Sequence, residues 1–189
     1  MPISKNGWEL HIERIVSQAW QSKQRTYGSY NVYQDGVLQA GLSGFICECP
    51  GPGDNTAVDS ELRIEEGRYR LSTQYGKYRS VGYSDDQKPA GTIPMPGLLL
   101  SELDTKPRNG ILIHPAHPPE LYLSSKGCLN PTKGLMAADS MDFWDSRSRV
   151  IALIDSLQDF ASSAFENPIN TIIPNAFVVI DGEPAAVAV

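Results

Sequence analysis

Alternating apolar and polar residues predict several β-strands in the first half of the chain. The alternation over residues 8–15 predicts a first strand, with His11 on its polar face as a surface or edge residue. Asp35-Gly36 between extended runs predicts a hairpin, so that residues 37–42 return antiparallel to the preceding strand. Further extended segments are predicted at residues 45–49, 62–64 and 68–73, and the apolar residues 98–100 are expected to enter the core.

The second half of the chain contains one strong helical pattern, which Ser140 can cap and Asn167-Pro168 ends. Its apolar stripe predicts core packing and consists of Val150, Leu153, Ile154, Leu157, Phe160, Ala161 and Ala164. Short extended segments follow at residues 172–174 and 177–180, and residues 185–189 are expected to add an edge strand or to fray. The fold class is therefore predicted as mainly β (α+β) with one long helix, and not as a doubly wound parallel sheet.

Of two predicted loops, the one over residues 76–97 is expected to cover or border a functional cleft. Residues 50–59 are rich in turn-forming residues, and residues 76–97 contain many tyrosines and several Gly and Pro breaks. The side chains of Tyr75, Tyr78 and Tyr83 either line the cleft or pack the loop down, and the two interpretations stay open.

Composition bounds the domain organisation and the class of partner. The 189 residues, 41% hydrophobic and 20% charged, predict one globular domain over residues 1–189, with a core at about 8–165 and a C-terminal tail at about 166–189. A net charge of −6 argues against nucleic acid as a partner. No stretch has the length of a membrane span or the pattern of a signal peptide, so synthesis and retention in the cytoplasm are expected unless another route exports the protein.

The candidate chemistry lies between Arg108 and Pro131. An apolar run over residues 111–113 ends at His114, prolines then enforce a loop over residues 115–120, and Gly127 permits a tight turn before Cys128. The segments 111–114 and 121–125 are predicted as neighbouring extended strands that bring the imidazole and the thiol to one end of the sheet. A thiol beside an imidazole is the arrangement of a nucleophilic cysteine, and the N–H groups of a glycine turn can stabilise an oxyanion. The alternative is a buried, inert cysteine.

Metal binding is the less favoured interpretation of the same residues, and no cofactor is expected. Zinc at His114, His117 and Cys128 would lack a clear carboxylate ligand other than Glu120, and the prolines exclude a helical zinc motif. The Cys47-x-Cys49 pair has no matching second pair, and the three cysteines cannot form a complete disulfide framework. Glu48, between them, is predicted to be solvated or to reach the site.

His114 followed by Ser124-Ser125-Lys126-Gly127-Cys128-Leu129-Asn130 resembles the L,D-transpeptidase (YkuD-type) signature of a histidine, a spacer and Ser/Thr-x-Gly-Cys. A wider similarity, over roughly residues 8–132, is to a small family of phage and bacterial proteins that carries the same signature. It includes Arg25-Thr26-Tyr27-Gly28, the Glu48 region, Arg63-Ile64, Gly67-x-Tyr69 and Arg108-x-Gly110-Ile111-x-Ile113-His114. Asn130 stands where transpeptidases often have arginine, and Pro115 where they tend to have glycine.

The resemblance implies an L,D-transpeptidase-like β-sandwich or barrel and thiol acyl transfer on peptidoglycan stem peptides. Cys128 would attack the carbonyl between an L-configured centre and D-alanine, and His114 would be the base, oriented by a backbone carbonyl or by a serine hydroxyl. Water, a D-amino acid or a stem amine would then resolve the thioester, as in a carboxypeptidase, an exchange enzyme or a transpeptidase. The implied catalytic residues are Cys128, His114, Ser125 and Gly127, and the implied substrate contacts are Arg108, Lys126, His117, Tyr122, Ser124 and Asn130.

A cell-wall substrate without an export signal suggests an antibacterial toxin delivered into the periplasm of a rival cell, for example by type VI secretion. Such a toxin implies an immunity protein and a carrier in the secretion apparatus. The alternatives are a phage lysis factor and a non-enzymatic structural protein of a phage particle, in which Cys128 is only packed. A papain-like or NlpC-type peptidase is disfavoured because those enzymes place the cysteine before the histidine in the chain.

Overall fold

A computed structural model describes residues 2–76 and 95–188. The strands are β1 (Trp8–Trp20), β2 (Lys23–Gln34), β3 (Val37–Glu48), β4 (Gly67–Gln74), β5 (Gly97–Leu100), β6 (Leu112–Ile113), β7 (Asn130–Thr132), β8 (Ile172–Asp181) and β9 (Ala185–Ala188). The helices are α1 (Glu102–Thr105) and α2 (Phe143–Phe160), followed by a 3-10 helix over Ser162–Phe165. The prediction of a mainly β fold with one long helix is confirmed.

All the strands belong to one sheet that nearly closes on itself. Its order is β6-β5-β4-β8-β1-β2-β3-β7, with β9 beside β1. A parallel bridge between Ile113 and Leu129 joins the two ends, because Ile113 belongs to β6 and Leu129 directly precedes β7. We call this junction of β6 with the Leu129 segment the seam. Two hydrogen bonds stabilise it: His114 N–H donates to the Leu129 carbonyl at 3.1 Å, and Leu129 N–H donates to the Leu112 carbonyl at 2.8 Å. The result is a barrel-like sheet with a short seam.

The predicted hairpin at Asp35-Gly36 is confirmed. Both residues have positive φ angles, 50° and 81°, which the two-residue turn between β2 and β3 requires. The strand after the turn is longer than predicted, because β3 runs without interruption over the residues assigned to two strands. The segment 62–64, predicted as a strand, is irregular. His11 is not on an edge strand, since β1 lies between β8 and β2.

The helix packs its apolar stripe against the main core, as the pattern predicts. Val150, Leu153, Ile154 and Leu157 are buried in one cluster with side chains of the sheet such as Trp8. The ends of the helix differ from the prediction, because Asp142 is the N-cap and accepts a hydrogen bond from Asp145 N–H, and because the α-helical turns end at Phe160. A second, smaller cluster covers the opposite face of the sheet and contains Tyr27, Cys47, Ala116, Leu135 and Met141.

The segment predicted as a C-terminal tail is part of the sheet. Strand β8 is one continuous strand that lies between β4 and β1 and runs parallel to β1. Its residues Val178 and Ile180 are fully buried in the main core. Strand β9 adds a short parallel pairing to β1. Strand β8, within the predicted tail, therefore contributes to the centre of the fold.

The long loop predicted between Gly76 and Gly97, with Tyr78 and Tyr83, lies almost wholly outside the described residues. Tyr75 is described and buried, and its backbone N–H donates to the Asn170 side-chain oxygen at 2.7 Å. None of the helices in the described ranges has the length and apolar content that crossing a bilayer requires.

Candidate active site

A cleft of about 570 Å³ opens beside the seam of the sheet. One wall comes from the loop of residues 58–61, and the other comes from the segments around the seam. Its lining consists of Val58, Asp59, Ser60, Glu61, Arg108, Asn109, Gly110, Ile111, Leu112, His114, His117, Ser124, Ser125, Lys126 and Cys128. Most of the predicted catalytic and substrate-binding residues therefore line one cleft.

The pairing at the seam puts the imidazole and the thiol on the same face. Ile113 and Leu129 are paired and fully buried in the core. Because side chains alternate along extended chain, the preceding Cys128 and the following His114 point to the opposite face, towards the cleft. The prediction of neighbouring extended segments is right for the histidine but wrong for its partner, since residues 121–125 are irregular and the segment around Leu129 lies beside β6.

The His114 ring is held in the tautomer that suits a general base. Its Nδ1 lies 2.7 Å from the Pro115 carbonyl oxygen, so Nδ1 carries the proton and donates it there, leaving Nε2 as an acceptor. The buried Asn130 amide supports this segment, because its Nδ2 donates to the His114 carbonyl at 2.9 Å. Burial lowers the pKa of His114 to about 4, and the Pro115 hydrogen bond acts in the opposite direction. The ring is therefore neutral near pH 7, with Nε2 unprotonated.

A backbone carbonyl, and not a serine hydroxyl, orients this ring. Ser124 Oγ accepts the backbone N–H of His117 and donates to the His117 carbonyl at 3.1 Å. Ser125 Oγ donates to the Cys128 carbonyl at 3.1 Å. The Ser124 hydroxyl thus stabilises the loop at His117, and the Ser125 hydroxyl stabilises the turn that precedes Cys128.

The Cys128 thiol is partly buried and is held by the backbone of the neighbouring segment. Its Sγ accepts the Leu112 N–H at 3.3 Å and lies 3.5 Å from the Gly110 carbonyl. Burial raises the pKa of Cys128, while the Leu112 hydrogen bond and the charge of Arg108 act in the opposite direction. A protonated thiol that shares a cleft with a neutral imidazole needs proton transfer to become nucleophilic, which is the task of a general base.

Arg108 is an internal anchor for the walls of the cleft. Only 1% of its surface is exposed, and its two Nη atoms donate to the carbonyls of Asp54, Arg63, Ser60 and Lys126 at 2.7 to 3.4 Å. Since the two Nη atoms carry four hydrogens, these four acceptors leave only the Nε–H for a substrate.

Gly127 is required by this packing of Arg108. Its φ is +129°, and a Cβ at this position would lie 2.0 Å from Nη2 of Arg108. The predicted role of its N–H in an oxyanion hole is not favoured by its surroundings, because that N–H interacts with the Cys49 thiol and lowers the pKa of Cys49. Burial has the larger effect and raises the pKa of Cys49 to about 11.

The remaining predicted contacts fall into an exposed group and a buried group. Lys126 is exposed and forms an ion pair with Glu61, which connects the two walls at the mouth of the cleft. His117 is exposed and lines the cleft. Tyr122 and Asn130 are buried and lie outside the cleft lining. The Arg25 guanidinium lies 4.2 Å above the ring centroid of Tyr122, and the Asn130 amide donates a hydrogen bond to the His114 carbonyl.

Some features of the site and its surroundings carried no signal in the sequence pattern. The wall formed by Asp59, Ser60 and Glu61 belongs to an irregular loop, whose position depends on Arg108. Glu48, expected to be solvated or to reach the site, is buried and forms an ion pair with Arg14 at 2.8 Å. Within the described ranges, His, Cys, Asp and Glu side chains form no group of three that could hold a metal ion.

No family model, no curated protein and no solved structure matches this chain.

Proposed function

We propose that the protein is a cysteine acyltransferase in which Cys128 is the nucleophile and His114 is the general base. The observation that carries the proposal is their position on either side of the Ile113–Leu129 bridge, facing one cleft. The tautomer set by the Pro115 carbonyl, with Nε2 as acceptor, supports the same roles.

The reaction has two stages. In the first, Nε2 of His114 takes the thiol proton, the sulfur attacks the substrate carbonyl carbon, and collapse of the tetrahedral oxyanion breaks the C–N bond. The leaving amine receives the proton from His114, and a thioester with Cys128 remains. In the second, His114 removes a proton from the acceptor, which attacks the thioester, and the thiolate that leaves is reprotonated.

The proposed substrates are peptidoglycan stem peptides, and this part rests on the resemblance of the His114 and Ser124–Asn130 segments to L,D-transpeptidases. The bond broken would be the one before the terminal D-alanine. Water, a D-amino acid and a stem amine are the three acceptors, corresponding to carboxypeptidase, exchange and transpeptidase activity. Of the predicted substrate contacts, Lys126 and His117 are the exposed ones in the cleft lining.

The test is incubation of the purified protein with a peptidoglycan tetrapeptide, with and without an added D-amino acid, followed by mass spectrometry. Loss or replacement of the terminal D-alanine is expected for the wild type and for Cys49→Ala, and not for Cys128→Ala. Thiol labelling gives a second readout: Cys128 should react before Cys47 and Cys49, which are buried with pKa values raised by that burial to about 12 and about 11. An unchanged tetrapeptide together with slow labelling of Cys128 would favour the non-enzymatic virion protein instead.

The proposed substrate puts the site of action in the periplasm of a target cell, as for a delivered antibacterial effector. Directing the wild-type chain to the periplasm of a bacterium should therefore inhibit growth, and Cys128→Ala should not. Normal growth with folded wild-type protein in the periplasm would refute the effector role. The tetrapeptide assay would still decide the chemistry.

A further inference from the structure

An aromatic row leads from the candidate catalytic histidine to the surface of the long helix. The ring centroids of His114 and His117 are 6.1 Å apart, those of His117 and Phe143 are 5.3 Å apart, and those of Phe143 and Trp144 are 4.9 Å apart. His114 and His117 line the cleft, whereas Phe143 and Trp144 form the first turn of α2. The cleft is thus continuous with an aromatic surface outside it.

The outer end of this row is an exposed tryptophan. Trp144 is 61% exposed, and the Arg147 guanidinium lies 5.8 Å from its ring centroid. Phe143 meets it edge-on, at an interplanar angle of 67°, and His117 is exposed as well. Exposed apolar surface that adjoins a cleft is typical of a binding surface, and Trp combines a large apolar face with a polar N–H.

We propose that the row formed by His117, Phe143 and Trp144 is a subsite for an N-acetylated sugar ring of the glycan that carries the stem peptide. This inference rests on the proposed function, because it takes the reacting carbonyl to lie at Cys128. A pyranose ring has one face of C–H groups, and the electron-rich face of an aromatic ring packs well against it.

The dimensions of the row agree with this occupant. The bond before the fourth residue of a stem peptide is three residues from the sugar, and extended chain spans about 3.3 to 3.6 Å per residue. Three residues therefore span about 10 to 11 Å, close to the two centroid steps of 6.1 and 5.3 Å from His114 through His117 to Phe143. The sugar that follows would then lie over Phe143 and Trp144, whose centroids are 4.9 Å apart. A stem peptide with its carbonyl at Cys128 can therefore place its own sugar on the aromatic surface.

The kinetic test compares a disaccharide tetrapeptide with the free tetrapeptide as substrates. For the wild type, kcat/KM should be at least tenfold higher with the disaccharide attached, and Trp144→Ala should reduce this ratio to near one. Trp144→Phe, which keeps a ring, should retain part of the preference. The matched control is Trp20→Ala, an exposed tryptophan outside the cleft lining, which should leave the ratio unchanged.

A binding test separates this inference from the proposed reaction. Calorimetry with a tetramer of N-acetylglucosamine should detect binding to Cys128→Ala protein and no binding after the further change Trp144→Ala. If the wild type processes neither peptide, the proposed function fails and calorimetry alone decides the sugar subsite. Two results together overturn the inference. The first is that calorimetry detects no binding heat, and the second is that the ratio of kcat/KM for the two substrates is the same in the wild type and in folded Trp144→Ala. That is also the result expected if the row serves a protein partner.

Discussion

Replacing Arg108 with methionine should destabilise the protein and disorder the site at the same time. The guanidinium connects four carbonyls from separate segments, those of Asp54, Ser60, Arg63 and Lys126. The Arg63 carbonyl keeps a partner without it, because Asp54 N–H also donates there at 3.0 Å. The other three acceptors would lose the donor that holds them.

The expected loss of unfolding free energy follows from these contacts. A hydrogen bond to a charged group contributes roughly 1.5 to 3 kcal/mol, and a buried acceptor left without a partner costs roughly 1 to 3 kcal/mol. Removing a buried cation offsets part of this loss, since the guanidinium no longer has to leave water. We expect Arg108→Met to lose about 2 to 4 kcal/mol and Arg108→Lys, which keeps the charge and some donors, roughly half as much.

Urea unfolding of wild type and Arg108→Met measures the loss of unfolding free energy. An equal m-value for the two proteins checks that their unfolded states expose the same surface. Lys126→Met is the control, because its ion pair with Glu61 is exposed and should contribute little to stability. Steady-state kinetics should show a lower kcat in Arg108→Met, since the cysteine turn and the facing loop lose their common anchor. Unchanged stability with only a higher KM would refute the anchor role and assign Arg108 to the substrate carboxylate.

Three further predictions follow from the same contacts. Asn130→Ala should lower kcat more than it raises KM, because the amide supports the His114 segment and lies outside the cleft lining; an unchanged kcat would contradict this role. The pKa of His114 in the folded protein is about 4, below its usual 6.5, so the unfolded chain binds the proton more tightly. The free energy of unfolding should therefore fall by up to about 3 kcal/mol as the pH drops from 6.5 to 4. Unfolding measured against pH should show a smaller slope for His114→Asn, and an equal slope would refute the assignment. Glu48→Ala should lower the free energy of unfolding by about 3 to 5 kcal/mol, because it leaves the Arg14 cation buried without its carboxylate. The control is Glu120→Ala, which removes an exposed ion pair and should change the stability measured by thermal unfolding by no more than about 1 kcal/mol.

Local patterns predicted the elements whose formation depends on neighbouring residues. The alternation from Trp8 and the turn at Asp35-Gly36 specify β1 and the hairpin of β2 and β3, because period-two burial and positive φ are local properties. The apolar stripe of α2 was correct for the same reason. Its ends were less accurate, since Ser140 and Asp142 are both acceptable caps and only the structure selects Asp142.

Strand pairing explains most of what the sequence did not predict. The pattern at residues 172–180 predicts two short extended segments, yet β8 is one continuous strand and is central because it pairs with both β4 and β1. In the same way, the His114 segment pairs with Leu129 and not with residues 121–125. Hydrophobic alternation records which face is buried and carries no information about the neighbouring strand.

The amino-acid sequence by itself determined the first strand, the hairpin, the helix and the chemical groups His114 and Cys128, since each depends on short-range geometry or on residue identity. The tertiary structure decided what surrounds those groups: the seam that turns them to one face, the carbonyl that selects the imidazole tautomer, and the burial that lowers the pKa of His114 and raises that of Cys128. It also decided that Arg108 holds carbonyls inside the protein. These properties depend on distances between segments far apart in the chain, which only the closed sheet brings together.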